Sequence, residues 1–292
     1  MNHVLDRLDE AASERLDGAA SEMLLRGAWE VPRLPVVVVQ LLQGLRDPDA
    51  DATSVAELVR SDPALSSLVI GLANPVGART RVEDLRSAVL RVGHRSLGEM
   101  ALALGIRGRL LGTPAVDATV RTMWGHAVGT GLWCREIEGE IAGSRAFQCG
   151  FVSLIGRPIA LRVVCETAAA LPIPFPGVER VLPWVERNYM AASARCCEVW
   201  GLPDDVVDVA KNHPIPRNSA TGIVASSMVH LGATFAAWMR DPRAWRETAI
   251  RTSPASATLA LDRRRLDALF ARRMAVVEAV DRVVGGTLEV RI

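Results

Sequence analysis

The side chains of this chain best suited to meet a ligand are His126, Arg157 and His213. Two imidazoles can share a divalent cation, and a guanidinium can grip an anion such as a phosphate. A catalytic metal, however, takes about three protein ligands, and helical spacing brings no carboxylate alongside either histidine. The pattern therefore predicts hydrogen-bonded core or crevice histidines ahead of ligands. Arg157 sits in the apolar stretch GFVSLIGRPIAL and reads first as a solvated cation on a helix face, second as an anion contact. No catalytic residue and no metal site is expected, and His126, Arg157 and His213 are kept as the lining of a residual ligand pocket.

The five cysteines, Cys134, Cys149, Cys165, Cys196 and Cys197, are odd in number and include no C-x-x-C pair. Reduced thiols in a cytoplasmic protein fit best. Cys149 and Cys165 lie in apolar helical sequence and read as small hydrophobic filler. Cys196 and Cys197 are neighbours whose helical side chains diverge by about 100°, so a shared metal is not expected. Trp124, Trp133, Trp184 and Trp200 read as core anchors, with interface contact the second option.

Composition narrows the partners. The chain has 34 basic and 33 acidic residues, a formal net charge of +1, which gives no general field for nucleic acid or an anionic membrane. Lys211 is the single lysine, so the basic surface is one of guanidiniums. A hydrophobic share of 49% with only 4% aromatics means that Leu, Val and Ala must fill the interior, which favours helix-on-helix packing. The N-terminus lacks the apolar core of a signal peptide, and no uninterrupted apolar run approaches the ~18 residues of a membrane span.

The candidate residues need elements to hold them, and apolar spacing predicts helices throughout. Leu5, Leu8, Ala12, Leu16, Ala19 and Met23 recur at three and four residues, predicting a helix over about 4–26 that ends at Gly27. A second helix is expected through Leu41, Leu42 and Leu45, with Pro35 in its first turn. Ser54 and Glu57 have capping-box spacing, and Asp62 with Pro63 supplies an N-cap and first position for the next helix. This pair invites a helix-turn-helix reading, but Ala64–Ala73 offers no Arg, Lys or Gln to a base edge. Core packing explains it better. Further helices are expected from Val82 to Gly93, onward to Gly112, and over about 116–138, 144–171, 188–200, 203–212 and 219–240. The segment LPIPFPGVERVLP reads as the most proline-rich loop. Leu266, Leu269, Phe270, Met274, Val277, Val280 and Val284 form a last apolar stripe, and GGTLEVRI suits either a short strand or a frayed end.

The segment LPVVVVQLLQGLRDPDADATSVAELVRSDPALSSLVIGLANP, followed by DLRSAVLRVGHRSL, closely resembles the first lobe of bacterial HDOD proteins, the HD-related output domains. MWGHAVGTG, CGFVSLIGRPIAL and WGLPDDVVDVAKNHP resemble the second lobe, which is related to HD metal-dependent phosphohydrolases. The resemblance implies an all-α, two-lobed helical HDOD architecture with a degenerate HD-like second lobe. Its implied layout is an N-terminal amphipathic helix (1–30), an HDOD domain (31–242, lobes at about 31–113 and 114–242) and a C-terminal helical extension (243–292).

Active HD enzymes hold metal with a His, an adjacent His-Asp pair and a further Asp, so that imidazoles and carboxylates converge on ions whose bound water attacks. By resemblance His126 matches the first His, Ser153 and Leu154 stand where the His-Asp pair would be, and the last Asp falls near Ala233. Leu154 puts hydrocarbon where a carboxylate would bridge ions. The resemblance thus implies a non-catalytic regulatory module that binds a signalling protein partner in bacterial signal transduction, with no cofactor. The terminal helices are the expected places for docking or homo-oligomer formation. The alternative is an HD-type phosphohydrolase or nucleotide sensor using the pocket of His126, Arg157 and His213.

Overall fold

The computed structural model describes residues 2–44, 51–74, 80–139, 145–220 and 222–284, and among them every regular element is helical. GGTLEVRI lies outside the described residues. The chain begins with α1 (Asn2–Leu25), α2 (Val36–Gly44), α3 (Ala52–Arg60), α4 (Pro63–Ala73), α5 (Leu85–Val92) and α6 (His94–Leu110). It continues with α7 (Asp117–Glu138), α8 (Ala146–Leu154), α9 (Gly156–Ala170), α10 (Val178–Val199) and α11 (Asp204–Asn212). After a 3-10 turn at Pro216–Asn218 come α12 (Ile223–Arg240), α13 (Glu247–Arg251), α14 (Pro254–Thr258), α15 (Arg263–Ala271) and α16 (Arg273–Val284).

Two compact units result: α2 to α6 with α16 form one, and α1 with α7 to α15 form the other. The N-terminal helix, expected as a separate element, is part of the second unit. The C-terminal stretch, expected as one extension, divides between both.

In the unit of α2 to α6 the helix ends are fixed by aspartates. Asp51 accepts from the Thr53 and Ser54 N–H groups at 2.6 and 3.4 Å, so it caps α3 in place of the Ser54–Glu57 box. An ionised carboxylate answers both the unpaired N–H groups and the helix dipole, which a serine hydroxyl does less well. Asp62 caps α4 as the sequence predicts, accepting from Leu65 N–H at 3.0 Å. α5 begins at Leu85 instead of Val82 because Asp84 takes the cap, accepting from Ser87 N–H at 2.8 Å. Val82 is held instead by Asn74, whose side chain accepts its N–H at 2.8 Å and donates to its carbonyl at 2.7 Å. Leu41, Val55, Val59, Leu65, Val69 and Leu97 fill the core between these helices.

In the other unit α1 lies on α9 and α10. Leu16 and Ala20 are fully buried, and Trp184 Nε1 donates to the Asp17 carbonyl at 3.1 Å and to Ser21 Oγ at 2.9 Å. Leu16 and Ala20 of this helix are thus covered within its own chain. α7, α8 and α12 meet through small residues: a Cβ on Gly150 or on Gly232 would stand 2.7 Å from Cys134 Sγ. Ala146–Ala170 is the one stretch among the described residues long and apolar enough to cross a membrane, and with 83% of its most apolar window buried it serves as a core segment.

Candidate functional site

The segment expected as one helix over 144–171 is two helices, α8 and α9, broken at Ile155. Pro158 causes the break, since it has no N–H for the carbonyl of Leu154. Ser193 of α10 bridges the gap: its hydroxyl donates to the Ser153 carbonyl and accepts from Gly156 N–H, each at 2.9 Å. Such an approach requires glycine, because a Cβ on Gly156 would lie 2.0 Å from the Tyr189 carbonyl oxygen.

The break sets the surroundings of Ser153 and Leu154. Ser153 is fully buried with its Oγ lacking any partner, and Leu154 is 1% exposed. The metal of HD enzymes does not fit these residues. Among the described residues no group of three or more His, Cys, Asp and Glu could hold an ion.

His126 lies in the middle of α7, a helix buried over most of its surface, and its carbonyl accepts from Thr130 Oγ1 at 2.8 Å. Burial pushes its imidazole down to about 3, helped by the charges of Arg157 and Arg240. His213 follows α11, whose first turn holds Asp204 and Asp205 against the helix dipole. It is 3% exposed, its Nε2 is 3.2 Å from Tyr189 Oη, and its Nδ1 makes no hydrogen bond. Burial lowers this ring also to about 3, with Arg157 adding to the effect and the Ala210 and Val209 carbonyls opposing it.

Arg157 lies in the first turn of α9, and its expected role needs correction. It is not a solvated cation: its side chain is 23% exposed, pairs with Glu186 at 2.9 Å and lies over the Tyr189 ring at 4.7 Å. Glu186 belongs to the early part of α10, which begins at Val178, inside the segment 171–183 expected as a loop and ahead of the helix expected from about 188. Pro183 lies inside α10 and misdirects that reading, although Val181, Trp184, Val185, Tyr189 and Ala192 keep helical spacing and are buried.

The structure therefore sets the other two expected residues, His126 and His213, within electrostatic reach of Arg157, whose charge acts on both imidazoles. It adds Tyr189, Glu186, Ser193 and His230. His230, on α12, is half-buried and shifted down by burial, with the His213 carbonyl opposing. It precedes Ala233 by one helical turn, which was the available sign of it. At neutral pH the site presents uncharged rings and a guanidinium already neutralised by a carboxylate. The cysteines add no reactivity: all five are free, and burial pushes the thiols up, those of Cys149 and Cys197 to about 12.

Comparison with known proteins matches this arrangement to a family. The chain fits the HDOD domain over residues 31–216. An uncharacterized protein of Treponema pallidum (strain Nichols) is 24% identical over 198 residues, 63% of this chain and 37% of that protein, so the chain spans well under half of this curated relative. A protein of Shewanella amazonensis SB2B, provisionally named a metal-dependent phosphohydrolase, has a similar fold with TM-score 0.66 at 17% identity, covering 91% of this chain and 99% of its own. A protein of Marinobacter aquaeolei VT8, provisionally named a signal transduction protein, is similar with TM-score 0.56 at 20% identity, over 97% of this chain and 66% of its own. With a match over more than half of its length and an all-helical fold to suit it, the chain belongs to the HDOD domain family.

Proposed function

We propose that this chain is a non-catalytic regulatory module of bacterial signal transduction that acts by binding another protein, in the cytoplasm and without a cofactor. The observation that carries the proposal is the fate of Ser153 and Leu154, both buried against neighbouring helices where an HD enzyme would need metal ligands. HDOD membership supports a signalling role, as does the name of the Marinobacter protein that shares the fold. Five unpaired cysteines favour a reducing compartment.

The nucleotide-sensing alternative draws on the nearness of His126, Arg157 and His213, but the charge state of the site speaks against it. Neutral imidazoles contribute no positive charge, and Glu186 already occupies Arg157. Two assays on the purified chain test the reading. Hydrolysis of bis-p-nitrophenyl phosphate with Mn²⁺ or Mg²⁺ should equal the buffer blank. Nucleotides should leave the melting temperature unchanged. Turnover, or nucleotide stabilisation that His126→Ala removes, would establish the alternative.

A further inference from the structure

The positive charge of this chain is concentrated in one segment. From Arg240 to Arg273 nine arginines accompany four carboxylates, a local net charge of +5 in a chain of net +1. Several of these guanidiniums serve the fold itself. Arg251 pairs with Glu247 and Asp267, Arg265 donates to the Glu136 carbonyl, Arg272 pairs with Glu136, and Arg273 donates to the Met239 carbonyl.

Arg243 and Arg246 are used differently. Both are exposed, and neither guanidinium has a hydrogen-bond or ion-pair partner among the described residues. Between them Trp245 leaves 47% of its surface open, while Trp238, Phe235 and Phe270 pack on one another. The turn that carries the three residues is preformed. Asp241 Oδ1 accepts from Arg243 and Ala244 N–H at 3.2 and 3.0 Å, and its carbonyl accepts from Trp245 N–H at 3.0 Å. Little ordering of the backbone remains to oppose binding.

We infer that the Arg243–Trp245–Arg246 turn between α12 and α13 is the docking surface for an acidic segment of a partner protein, an inference that rests on the protein-binding reading above. Charge complementarity selects the occupant, since two unpartnered guanidiniums each offer a carboxylate two parallel hydrogen bonds. Trp245 supplies the apolar anchor, and Trp and Arg are the side chains enriched where binding energy concentrates. Single-stranded nucleic acid fits less well, because successive bases need successive aromatics and Trp245 is the sole exposed one in this segment. An anionic membrane fits less well too, since Ala244, Thr248 and Ala249 beside one indole give little apolar area to insert.

The test uses the full chain and three probes: a fluorescein-labelled peptide of alternating Glu and Leu, a labelled oligothymidylate, and phosphatidylglycerol vesicles. The acidic peptide should bind with an affinity that falls as salt is added. Binding should weaken by at least about tenfold in Trp245→Ala and in Arg243→Glu/Arg246→Glu, while a Lys-Leu peptide should prefer the charge-reversed chain. All three positions are exposed, so melting temperatures should be retained and loss of binding will not reflect unfolding. Absence of peptide binding, equal affinity for wild type and charge-reversed chain, or tighter binding of the oligonucleotide or vesicles would overturn the inference. Hydrolysis and nucleotide assays are read independently, so failure here is distinct from failure of the non-catalytic reading.

Discussion

One hydroxyl, that of Ser193, joins α8 and α9 across their break by serving the Ser153 carbonyl and the Gly156 N–H together. Ser193→Ala leaves both buried groups unpaired and should lower the free energy of urea unfolding by about 2–4 kcal/mol. Gly156→Ala is expected to be worse, because its Cβ would press on backbone atoms of α10, and a circular-dichroism melt should show a loss above about 4 kcal/mol or no folded protein. Protonation of half-buried His126 and buried His213 gives a further handle. His126 and His213 titrate near 3 when folded and near 6.5 when unfolded, so between those values the unfolded chain binds more protons. The stability that comes from keeping both rings neutral is complete above about pH 6.5 and is lost as pH falls towards 3, by up to about 1.4 kcal/mol per pH unit for each ring. Urea unfolding at pH 7, 5 and 4 should show a shallower decline in His126→Gln/His213→Gln than in wild type. His126 and Arg157 were legible in the sequence as polar residue types within apolar stretches, and His213 as an isolated imidazole. Ser193, Tyr189 and Glu186 were not, since a serine or a glutamate gains its role only from where one helix crosses another.

Helix α1 shows what periodicity can and cannot say about an element. The spacing of its apolar residues predicted the helix, and the structure confirms it from Asn2 to Leu25. What covers Leu16 and Ala20 is a long-range fact, and the answer is α9 and α10, with Trp184 donating to Asp17 and Ser21. Leu16→Ala, at a fully buried position of this face, should therefore cost about 2–5 kcal/mol in urea unfolding. An unpartnered helix would lose far less. Prolines account for the two misjudged elements. Pro158 divides a segment read as continuous, whereas Pro183 sits inside α10, where Glu179 is exposed and its carbonyl, left without that N–H, can turn to water. At the Pro158 break Ser193 pairs the adjoining Ser153 carbonyl and Gly156 N–H, whereas Pro183 stands near the exposed start of its helix.

At the scale of the whole molecule the ordered succession of motifs identified the family, because each block alone is a common helical pattern and only their sequence along the chain is distinctive. The assignment of α1 to one unit and of α16 to the other was not legible, since it depends on contacts between residues far apart in sequence. Ser153 and Leu154, which by resemblance stand where HD enzymes hold their His-Asp pair, are both buried, and on this rests the proposal that the unit of α7 to α15 binds no catalytic metal. Elemental analysis of the purified chain after equilibration with excess Mn²⁺ and gel filtration tests this most directly. Manganese far below one equivalent per chain is expected, the same in wild type and in His126→Ala. One or more equivalents in wild type, lost in His126→Ala, would contradict it.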